Sequence, residues 1–433
     1  MRLLYNILFP FLFLIAAPFY FWKLARRGQW REGFAQRFGF YGGLNGELAD
    51  QHVIWLHAVS VGEANLAVQL VNSLQDRNPG ATFVVSTTTT TGMGVLRAQL
   101  PDTVRAVYYP VDWLPFVRRA FRAIQPATVI LVEAEIWPNL FWEATHRQVP
   151  VNLVNARLSE KSFVGYRRFG WLFQPLFASL QSVGVQHEGD AKRMQVLGCN
   201  PDCLRITGNM KFDGAPDSTA VSLVARELLA KLEIPDTASV LVAGSTFEGE
   251  EELLCEFLVK WKTICPDLFL VLVPRHFERA DRLMEQLSST GLKIARRTQL
   301  EHSPKNPEVL LVDSTGELTS FYEAATLVFV GKSLSAQGGQ NPIEPAALGK
   351  PMIFGPFMQN FRVIVKSMLD VEAAVQVTDE EALRREIADL LGNPDRREKL
   401  GARALDLVQA HKGATQRTAE MLGQSLWADE LKS

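Results

Sequence analysis

The stretch HVIWLHAVSVGEA, residues 52–64, contains the pattern on which the fold prediction depends. Its first six residues form a short, largely apolar run, which is followed by Ser60, Gly62 and Glu63. Such a run is typical of a strand that is buried on both faces of a parallel sheet. The serine, glycine and glutamate therefore lie where a strand turns into a helix.

The same pattern recurs along the whole chain, with helical stretches between the apolar runs. The runs of the first half are residues 52–57, 81–87, 104–109, 127–133, 150–155, 182–186 and 203–208. Those of the second half are residues 238–244, 268–274, 292–295, 308–313, 326–331, 351–355 and 373–377. The alternation indicates βαβ crossovers. It predicts an α/β protein of two doubly wound, Rossmann-like domains, joined near residues 214–236 and ending in helices at 380–391, 395–411 and 414–427.

Size and composition agree with two domains and exclude some classes of function. A chain of 433 residues exceeds the usual size of one hydrophobic core. The net charge of −2 argues against a nucleic-acid partner. The four cysteines show no metal-ligand spacing and are interpreted as reduced thiols of a cytosolic protein.

Residues 3–22 contain no charged side chain. About 20 helical residues span a hydrocarbon core of about 30 Å, although Pro10 and Pro18 make a straight helix less certain. The basic residues from Lys23 to Arg37 come after this segment, which predicts that the rest of the chain stays cytoplasmic. We expect a single N-terminal membrane anchor, either spanning or lying in the interface, with a basic amphipathic segment to residue 45. A buried core helix is the alternative.

Acidic and basic side chains follow several strands of the first half. Glu63 could act as a general base if its carboxylate reaches a hydroxyl, or could simply be a dipole-favouring glutamate beside a Ser60 cap. Glu133 and Glu135 lie at the end of the run 127–133, and the turn signal at Pro138 indicates that only one of them faces a ligand. Plain surface acids are the alternative. Lys211 follows the last strand of this half, where it could contact an anion or remain solvated.

Four strand-end loops of the second half carry polar side chains that suit a nucleotide-sugar. In residues 338–347, GGQNPIEPAA, two glycines precede a proline-started helix, whose N-terminus favours a phosphate while Glu344 suits sugar hydroxyls. For any single loop, capping and solvation explain the residues equally well. The candidate nucleotide-binding residues are Ser245, Arg275, His276, Gly316, Glu317, Leu318, Gly339, Asn341 and Glu344.

Competing motifs are incomplete in this sequence. The glycine pair Gly92 and Gly94 lacks the closing residue of a dinucleotide fingerprint, because Arg97 occupies that position. The segment Gly331-Lys332-Ser333 lacks the upstream glycine of a P-loop. HExxH, DxD and paired CxxC motifs do not occur, so we expect no bound metal and no cofactor.

Seven motifs in order, from about residue 30 to about residue 420, resemble the Kdo transferases of lipopolysaccharide assembly, which transfer 3-deoxy-D-manno-octulosonic acid. They are HAVSVGEA, EAEIWPN, GNMKFD, GSTFEGEE, VPRH, GELTSFY and GGQNPIEPAALGKP. The resemblance implies a GT-B fold, with an acceptor-binding domain at 46–215 and a CMP-sugar-binding domain at 216–425 facing a cleft. It also implies CMP-Kdo as donor, a lipid IVA-like acceptor, inversion without a metal, and an anchor at the cytoplasmic face of the bacterial inner membrane.

Carried over residue by residue, the resemblance implies that Glu63 is the proton acceptor. Glu133 and Lys211 match positions that stabilise the transition state, with Glu135 a close second to Glu133. The segments at Arg275–His276, Gly316–Leu318 and Asn341–Glu344 match CMP contacts.

The sequence also departs from the family pattern. Phe247 and Gln340 stand where the family usually has histidine, and Lys332 stands where it usually has glycine. These departures concern the donor contacts and the acceptor, while Glu63 is retained. Two other classes of function stay open as alternatives. One is a GT-B enzyme that uses or epimerises a UDP-sugar, and the other is a catalytically silent membrane scaffold.

Overall fold

The computed structural model describes residues 2–10, 32–44, 46–48, 51–133, 136–214 and 224–426. The chain divides into two compact units, Met1–Asp213 with Lys412–Ser433, and Gly214–His411. The chain leaves the first unit at the start of the junction expected near residues 214–236. The second domain was expected to extend over residues 216–425. The C-terminal part of that range is assigned differently, because the residues from Lys412 onward belong to the first unit.

The first unit is built on a sheet of seven parallel strands in the order β3-β2-β1-β4-β5-β6-β7. The strands are β1 Val53–His57, β2 Thr82–Thr87, β3 Arg105–Tyr108, β4 Pro126–Val132, β5 Val151–Ala156, β6 Ser182–Val185 and β7 Leu204–Ile206. Its helices are α1 at residues 2–10, α2 Phe34–Arg37, α3 Val61–Arg77, α4 Thr90–Gln99, α5 Leu114–Ile124, α6 Pro138–His146, α7 Glu160–Arg168, α8 Gly170–Ala178 and α9 Glu188–Val196.

The second unit has its own sheet of seven parallel strands, in the order β10-β11-β9-β8-β12-β13-β14. The strands are β8 Val240–Thr246, β9 Phe269–Pro274, β10 Ile294–Arg296, β11 Val309–Leu311, β12 Leu327–Val330, β13 Met352–Phe354 and β14 Val375–Gln376. The remaining helices are α10 Val224–Lys231, α11 Glu250–Trp261, α12 Ala280–Leu287, α13 Leu318–Ala324, α14 Ile343–Ala347, α15 Arg362–Asp370, α16 Glu380–Gly392, α17 Pro394–His411 and α18 Ala414–Leu426. Every predicted apolar run coincides with a strand, so the α/β prediction is confirmed.

Strand β1 shows why these runs become central strands. Val53 and Trp55 belong to one hydrophobic core, and Ile54 and Leu56 belong to another on the opposite face of the sheet. Successive side chains of a strand point to opposite faces, so a strand covered on both sides is apolar at successive positions.

The strand orders place a switch point in each sheet, between β1 and β4 in the first and between β8 and β12 in the second. Ligands of open parallel sheets bind outside the carboxyl ends of the strands at such points. Glu63 follows β1 and Glu133 follows β4. Phe247 and Lys332 follow β8 and β12.

The last helix, α18, returns to the first unit because its apolar face and its N-terminus find partners there. Ala419 and Leu422 are buried in the same core as Ile54. The Asp213 carboxylate accepts a hydrogen bond of 2.7 Å from the Gly413 N–H, and the Arg417 guanidinium donates one of 3.0 Å to the Thr207 carbonyl. These contacts are separated by about 200 residues in sequence, which no local pattern predicts.

Helix α1 packs on the first unit through polar contacts. The Tyr5 hydroxyl donates a hydrogen bond of 3.0 Å to buried Asp112, and the Asn6 amide donates one of 2.8 Å to Asn139. Leu3, Leu4, Ile7 and Leu8 are exposed. Most of the predicted anchor, residues 11–22, lies outside the described residues. In the part of the chain that is described, no helix is both long and apolar enough to cross a bilayer.

Candidate active site

Glu63 lies in the first turn of α3, and Ser60 caps that helix. The Ser60 side chain accepts a hydrogen bond of 3.3 Å from the Glu63 N–H. The Glu63 carboxylate in turn accepts bonds of 2.8 Å from the Val59 N–H and 2.7 Å from the Ser60 hydroxyl. The capping interpretation is therefore correct as local structure. It leaves the functional hypothesis open, because each carboxylate oxygen has a further lone pair.

The electrostatic surroundings of Glu63 favour a basic carboxylate. Its side chain is buried, with 7% of the residue exposed, and burial raises its pKa. The charge of Glu133 raises that pKa further, while the Val59 N–H, the Ser60 hydroxyl and Lys211 lower it. The net effect raises the pKa of Glu63 above its ordinary value, which makes the carboxylate a stronger general base.

Glu133 and Lys211 form a pair. The Lys211 Nζ lies 2.6 Å from Glu133 Oε1, and both side chains are about one-quarter to one-third exposed. Both charges act on the pKa of Glu63. The structure thus brings together three of the predicted residues. The fourth, Glu135, lies outside the described residues.

The backbone of Glu133 is unusual for a residue with a side chain. Its φ is +61°, in the left-handed region, and its N–H donates a hydrogen bond of 2.9 Å to the Val154 carbonyl of β5. Non-glycine residues with such a φ are uncommon and often lie at functional sites. Strand β4 ends at Val132, directly before this residue, in agreement with the ending that the turn signal at Pro138 predicted.

Arg157 is a member of this region that the sequence analysis missed. It follows β5, the neighbour of β4, and is half-buried. Burial lowers its pKa, while the charges of Glu133 and Asp190 raise it. Its position directly after a buried strand was the signal that could have found it.

His57 is not a second base, although it is close to Glu63 in sequence. It is fully buried, its Nδ1 lies 3.0 Å from the Ser86 hydroxyl, and its ring stacks on Tyr109. Burial lowers its pKa to about 3. The ring is therefore neutral at ordinary pH and belongs to the core.

In the second unit, Glu250 ties together the loops that follow β8 and β12. One carboxylate oxygen, Oε2, accepts hydrogen bonds from the N–H groups of Phe247 at 2.9 Å and Lys332 at 2.7 Å. The other, Oε1, accepts bonds from the N–H groups of Ser333 at 2.9 Å and Leu334 at 3.0 Å. The residue is 1% exposed, so these four donors replace its hydration. Glu250 therefore shapes the loops rather than contacting a ligand.

Strand β8 continues further than expected. Ser245 and Thr246 follow the predicted run 238–244 but still lie in β8, and α11 begins at Glu250. Ser245 has a left-handed φ of +53°. The turn that follows places Phe247 beside residues of two other loops. The Phe247 ring lies 6.0 Å from the His276 ring and 5.2 Å from the Lys332 Nζ.

The charge of Arg275 reaches Glu344. The positive charge of Arg275 lowers the pKa of Glu344, although burial raises that pKa more strongly. The Asn341 amide donates a hydrogen bond of 3.0 Å to the Glu344 carboxylate, and its oxygen accepts one of 3.1 Å from the Ile343 N–H. Arg275 and His276 are exposed just after β9.

Two other candidates have partners within the protein. The Glu317 carboxylate is paired with Arg297 through hydrogen bonds of 2.8, 3.1 and 3.2 Å, and the Ser314 hydroxyl also contacts it. A Cβ on Gly339 would lie 2.4 Å from Met358 Sδ, so this glycine allows close internal packing. Gly316 has a φ of +84° and precedes Leu318, the first residue of α13. Within the described residues, no cluster of three or more potential metal ligands occurs.

Comparison with known proteins identifies relatives of this chain. The family described as 3-deoxy-D-manno-octulosonic-acid transferase (kdotransferase) matches residues 32–214. A 3-deoxy-D-manno-octulosonic acid transferase from Haemophilus influenzae is 34% identical over 397 residues, which cover 91% of each chain. Similarity over nearly the whole length includes both units.

Two solved structures are similar to this chain. The C-terminal CMP-Kdo binding domain of WaaA from Acinetobacter baumannii is 31% identical, with a TM-score of 0.40, over 43% of this chain and 96% of that one. A UDP-GlcNAc 2-epimerase from Neisseria meningitidis is 14% identical, with a TM-score of 0.54, over 86% of this chain and 99% of that one. The likeness to the epimerase shows a shared GT-B-like fold of two Rossmann-like domains and nothing about the reaction.

Proposed function

The chain belongs to the 3-deoxy-D-manno-octulosonic acid (Kdo) transferases, and we propose that it moves Kdo from CMP-Kdo to a lipid A precursor of the lipid IVA type. As a member of this family it is a glycosyltransferase of lipopolysaccharide biosynthesis. The observation that carries the finer proposal is the cluster of Glu63, Glu133 and Lys211 at the switch point of the first sheet. This cluster combines a buried base with a charged pair.

In the proposed reaction, Glu63 takes the proton of the acceptor hydroxyl. The hydroxyl oxygen forms a bond to the anomeric carbon of Kdo while the bond from that carbon to the CMP phosphate oxygen breaks, and its electron pair leaves with CMP. A single displacement of this kind inverts the anomeric centre. The raised pKa of Glu63 supports its role, since a more basic carboxylate accepts the proton more readily.

Glu133 and Lys211 would stabilise charge during this displacement. Negative charge develops on the attacking oxygen as it loses its proton, and the sugar acid already carries a negative carboxylate. A cation near the base stabilises both negative charges and so lowers the energy of the transition state. Lys211 has the suitable charge, and Glu133 holds its ammonium at 2.6 Å. Arg157 supplies a second cation near Glu133.

The second unit would bind the nucleotide. Arg275, exposed at the end of β9, suits the CMP phosphate because a guanidinium forms paired, charge-assisted hydrogen bonds with oxyanions. Glu344, held by Asn341, suits the ribose hydroxyls. Ser245, His276 and the backbone of Gly316–Leu318 would complete the contacts. Glu317 and Gly339 would act indirectly, through Arg297 and Met358.

Residues 1–45 would hold the enzyme at the cytoplasmic face of the inner membrane, where the membrane presents a lipid acceptor. The uncharged segment 3–22, the basic residues after it and the exposed leucines of α1 support this proposal. Basic segments bind anionic headgroups in a salt-dependent manner, whereas apolar insertion resists salt. Vesicle binding that survives high salt therefore supports an anchor, and complete release by salt contradicts it.

Mass spectrometry of lipid IVA after incubation with the enzyme and a CMP-Kdo supply tests the whole proposal. We expect lipid products heavier by one or more Kdo units. A titration with CMP and with UDP tests the donor separately, and preferential binding of UDP would contradict the proposed donor. Intact lipid IVA in the presence of bound CMP would instead contradict the acceptor.

A further inference from the structure

Three loops of the second sheet meet around the aromatic ring of Phe247. This residue follows β8, His276 follows β9 and Lys332 follows β12. The Lys332 Nζ lies 5.2 Å from the ring centroid of Phe247, and the His276 ring centroid lies 6.0 Å from it. Strands β8 and β12 flank the switch point, so the pair Phe247–Lys332 lies where open parallel sheets bind ligands.

The position of this pair is determined by the backbone. The Glu250 carboxylate oxygen that accepts the Phe247 N–H also accepts the Lys332 N–H, so both side chains leave the backbone from one hydrogen-bonded junction. Lys332 has a φ of +53°, a left-handed conformation that residues with side chains rarely adopt. The Lys332 N–H and the N–H groups of the next two residues all donate to the buried Glu250 carboxylate, so the backbone that carries the lysine is preorganised.

The ammonium of Lys332 has no anionic partner in the part of the chain that is described. No carboxylate lies at ion-pair distance from it, and none of its three donors makes a hydrogen bond to another residue there. The aromatic face of Phe247 attracts the ammonium, but a ring accepts no conventional hydrogen bond. The half-buried cation is therefore available to an oxyanion.

We propose that Lys332, supported on Phe247, is a donor-binding residue of this chain, whose ammonium binds an oxyanion of the donor. This inference rests on the proposed function, because CMP-Kdo offers two such groups, the phosphate and the carboxylate of the sugar acid. Phe247 and Lys332 are two of the positions at which the sequence departs from the family pattern. Their contact indicates that the two departures form one unit, in which the aromatic ring orients the cation.

Lys332→Met tests the proposal, because methionine keeps an unbranched apolar stem that can pack on Phe247 and removes the charge. Lys305→Met is the matched control, since Lys305 is exposed and lies in the loop that enters β11 from the opposite edge of the sheet. We expect CMP affinity or the KM for CMP-Kdo to worsen about tenfold or more in Lys332→Met, as for the loss of a charge-assisted hydrogen bond. The control should match the wild type.

Two measurements distinguish the two oxyanions. Weaker CMP binding by calorimetry assigns the phosphate to Lys332. Unchanged CMP binding with a raised KM for CMP-Kdo assigns the sugar carboxylate. A second variant, Lys332→Gly, relieves the left-handed strain and also lacks the ammonium, so it should show the same defect.

The proposal is overturned if both variants fold, bind CMP normally and show an unchanged KM for CMP-Kdo. Lower melting temperatures with unchanged donor parameters would likewise overturn it, by showing that Lys332 only stabilises the loop. Failure of the wild type to bind CMP or to use CMP-Kdo would instead contradict the proposed function. Phe247→Leu should reproduce part of the defect, because leucine packs but lacks the electron-rich ring face.

Discussion

Replacing Glu63 with glutamine tests the proposed base directly, because the structure predicts that the variant folds normally. The glutamine oxygen can accept the Val59 N–H as the carboxylate does at 2.8 Å. Its amide N–H₂ can donate to Ser60, whose hydroxyl both donates and accepts. The pKa of Glu63 is raised in the folded chain, so its ionisation opposes folding increasingly as pH rises, and a neutral amide removes this effect. We therefore expect little loss of stability.

The expected effect on the reaction is large. Loss of a general base lowers the rate by about 10²–10⁴, which corresponds to about 3–5 kcal/mol of transition-state stabilisation. In the wild type, kcat/KM should fall as pH decreases through the raised pKa of Glu63, because a protonated carboxyl cannot accept the hydroxyl proton. This acid limb should disappear in Glu63→Gln, while CMP affinity stays unchanged.

The assay is Kdo transfer measured by mass spectrometry as a function of pH, with circular dichroism to verify folding. Glu188→Gln is the matched control, because Glu188 is also in the first turn of a helix after a strand of the same unit, but is exposed. Near-normal turnover of a folded Glu63→Gln variant would refute the assignment. Retention of the same acid limb in that variant would show that another group titrates.

Four further predictions concern the other parts of the site and the fold. Lys211→Met should move the acid limb of activity to higher pH, because the Lys211 charge lowers the pKa of Glu63, and Glu133→Gln should move it to lower pH, because the Glu133 charge raises that pKa. Profiles of activity against pH that shift in the opposite directions would contradict this coupling. Arg275→Ala should weaken CMP binding about tenfold or more. Arg275→Lys should weaken it less, because lysine keeps the positive charge but lacks the bidentate guanidinium. Unchanged CMP affinity in both variants by calorimetry would place the nucleotide elsewhere. Glu250→Gln should lower the free energy of unfolding in urea by about 1–3 kcal/mol, because an amide nitrogen would face backbone donors. Glu252→Gln should lower it less, because the Glu252 carboxylate accepts a single exposed N–H, from Gly249. Equal effects would refute the role of Glu250 in holding the two loops together. Deleting residues 1–22 should release the protein from vesicles, and a truncated chain that still sediments with vesicles would contradict the anchor. The deletion should also lower the melting temperature, because the hydrogen bond from Tyr5 to buried Asp112 is lost.

The candidate site could be predicted from the sequence only in part. Glu63, Lys211 and Arg275 were found because each follows a recognisable strand, and parallel strands all end at the same edge of their sheet. Arg157 follows a strand in the same way but belongs to no motif that suggested a ligand. The pairings of candidate residues could not be predicted, as Glu317 shows. It was predicted to bind the nucleotide, yet its carboxylate is paired with Arg297, 20 residues earlier.

The sequence by itself determined the positions of the strands and the α/β class, because burial on both faces requires a continuous apolar run that is visible locally. It also determined the family, through seven motifs in order. Only the tertiary structure decided which strand ends are neighbours, because strand order depends on packing between distant segments. That order brings Lys211 to Glu133 across 78 residues and Lys332 to the ring of Phe247. The tertiary structure also packs Gly339 against Met358 and returns α18 to the first unit. Neither could be predicted from the sequence, because close packing is a property of the assembled chain.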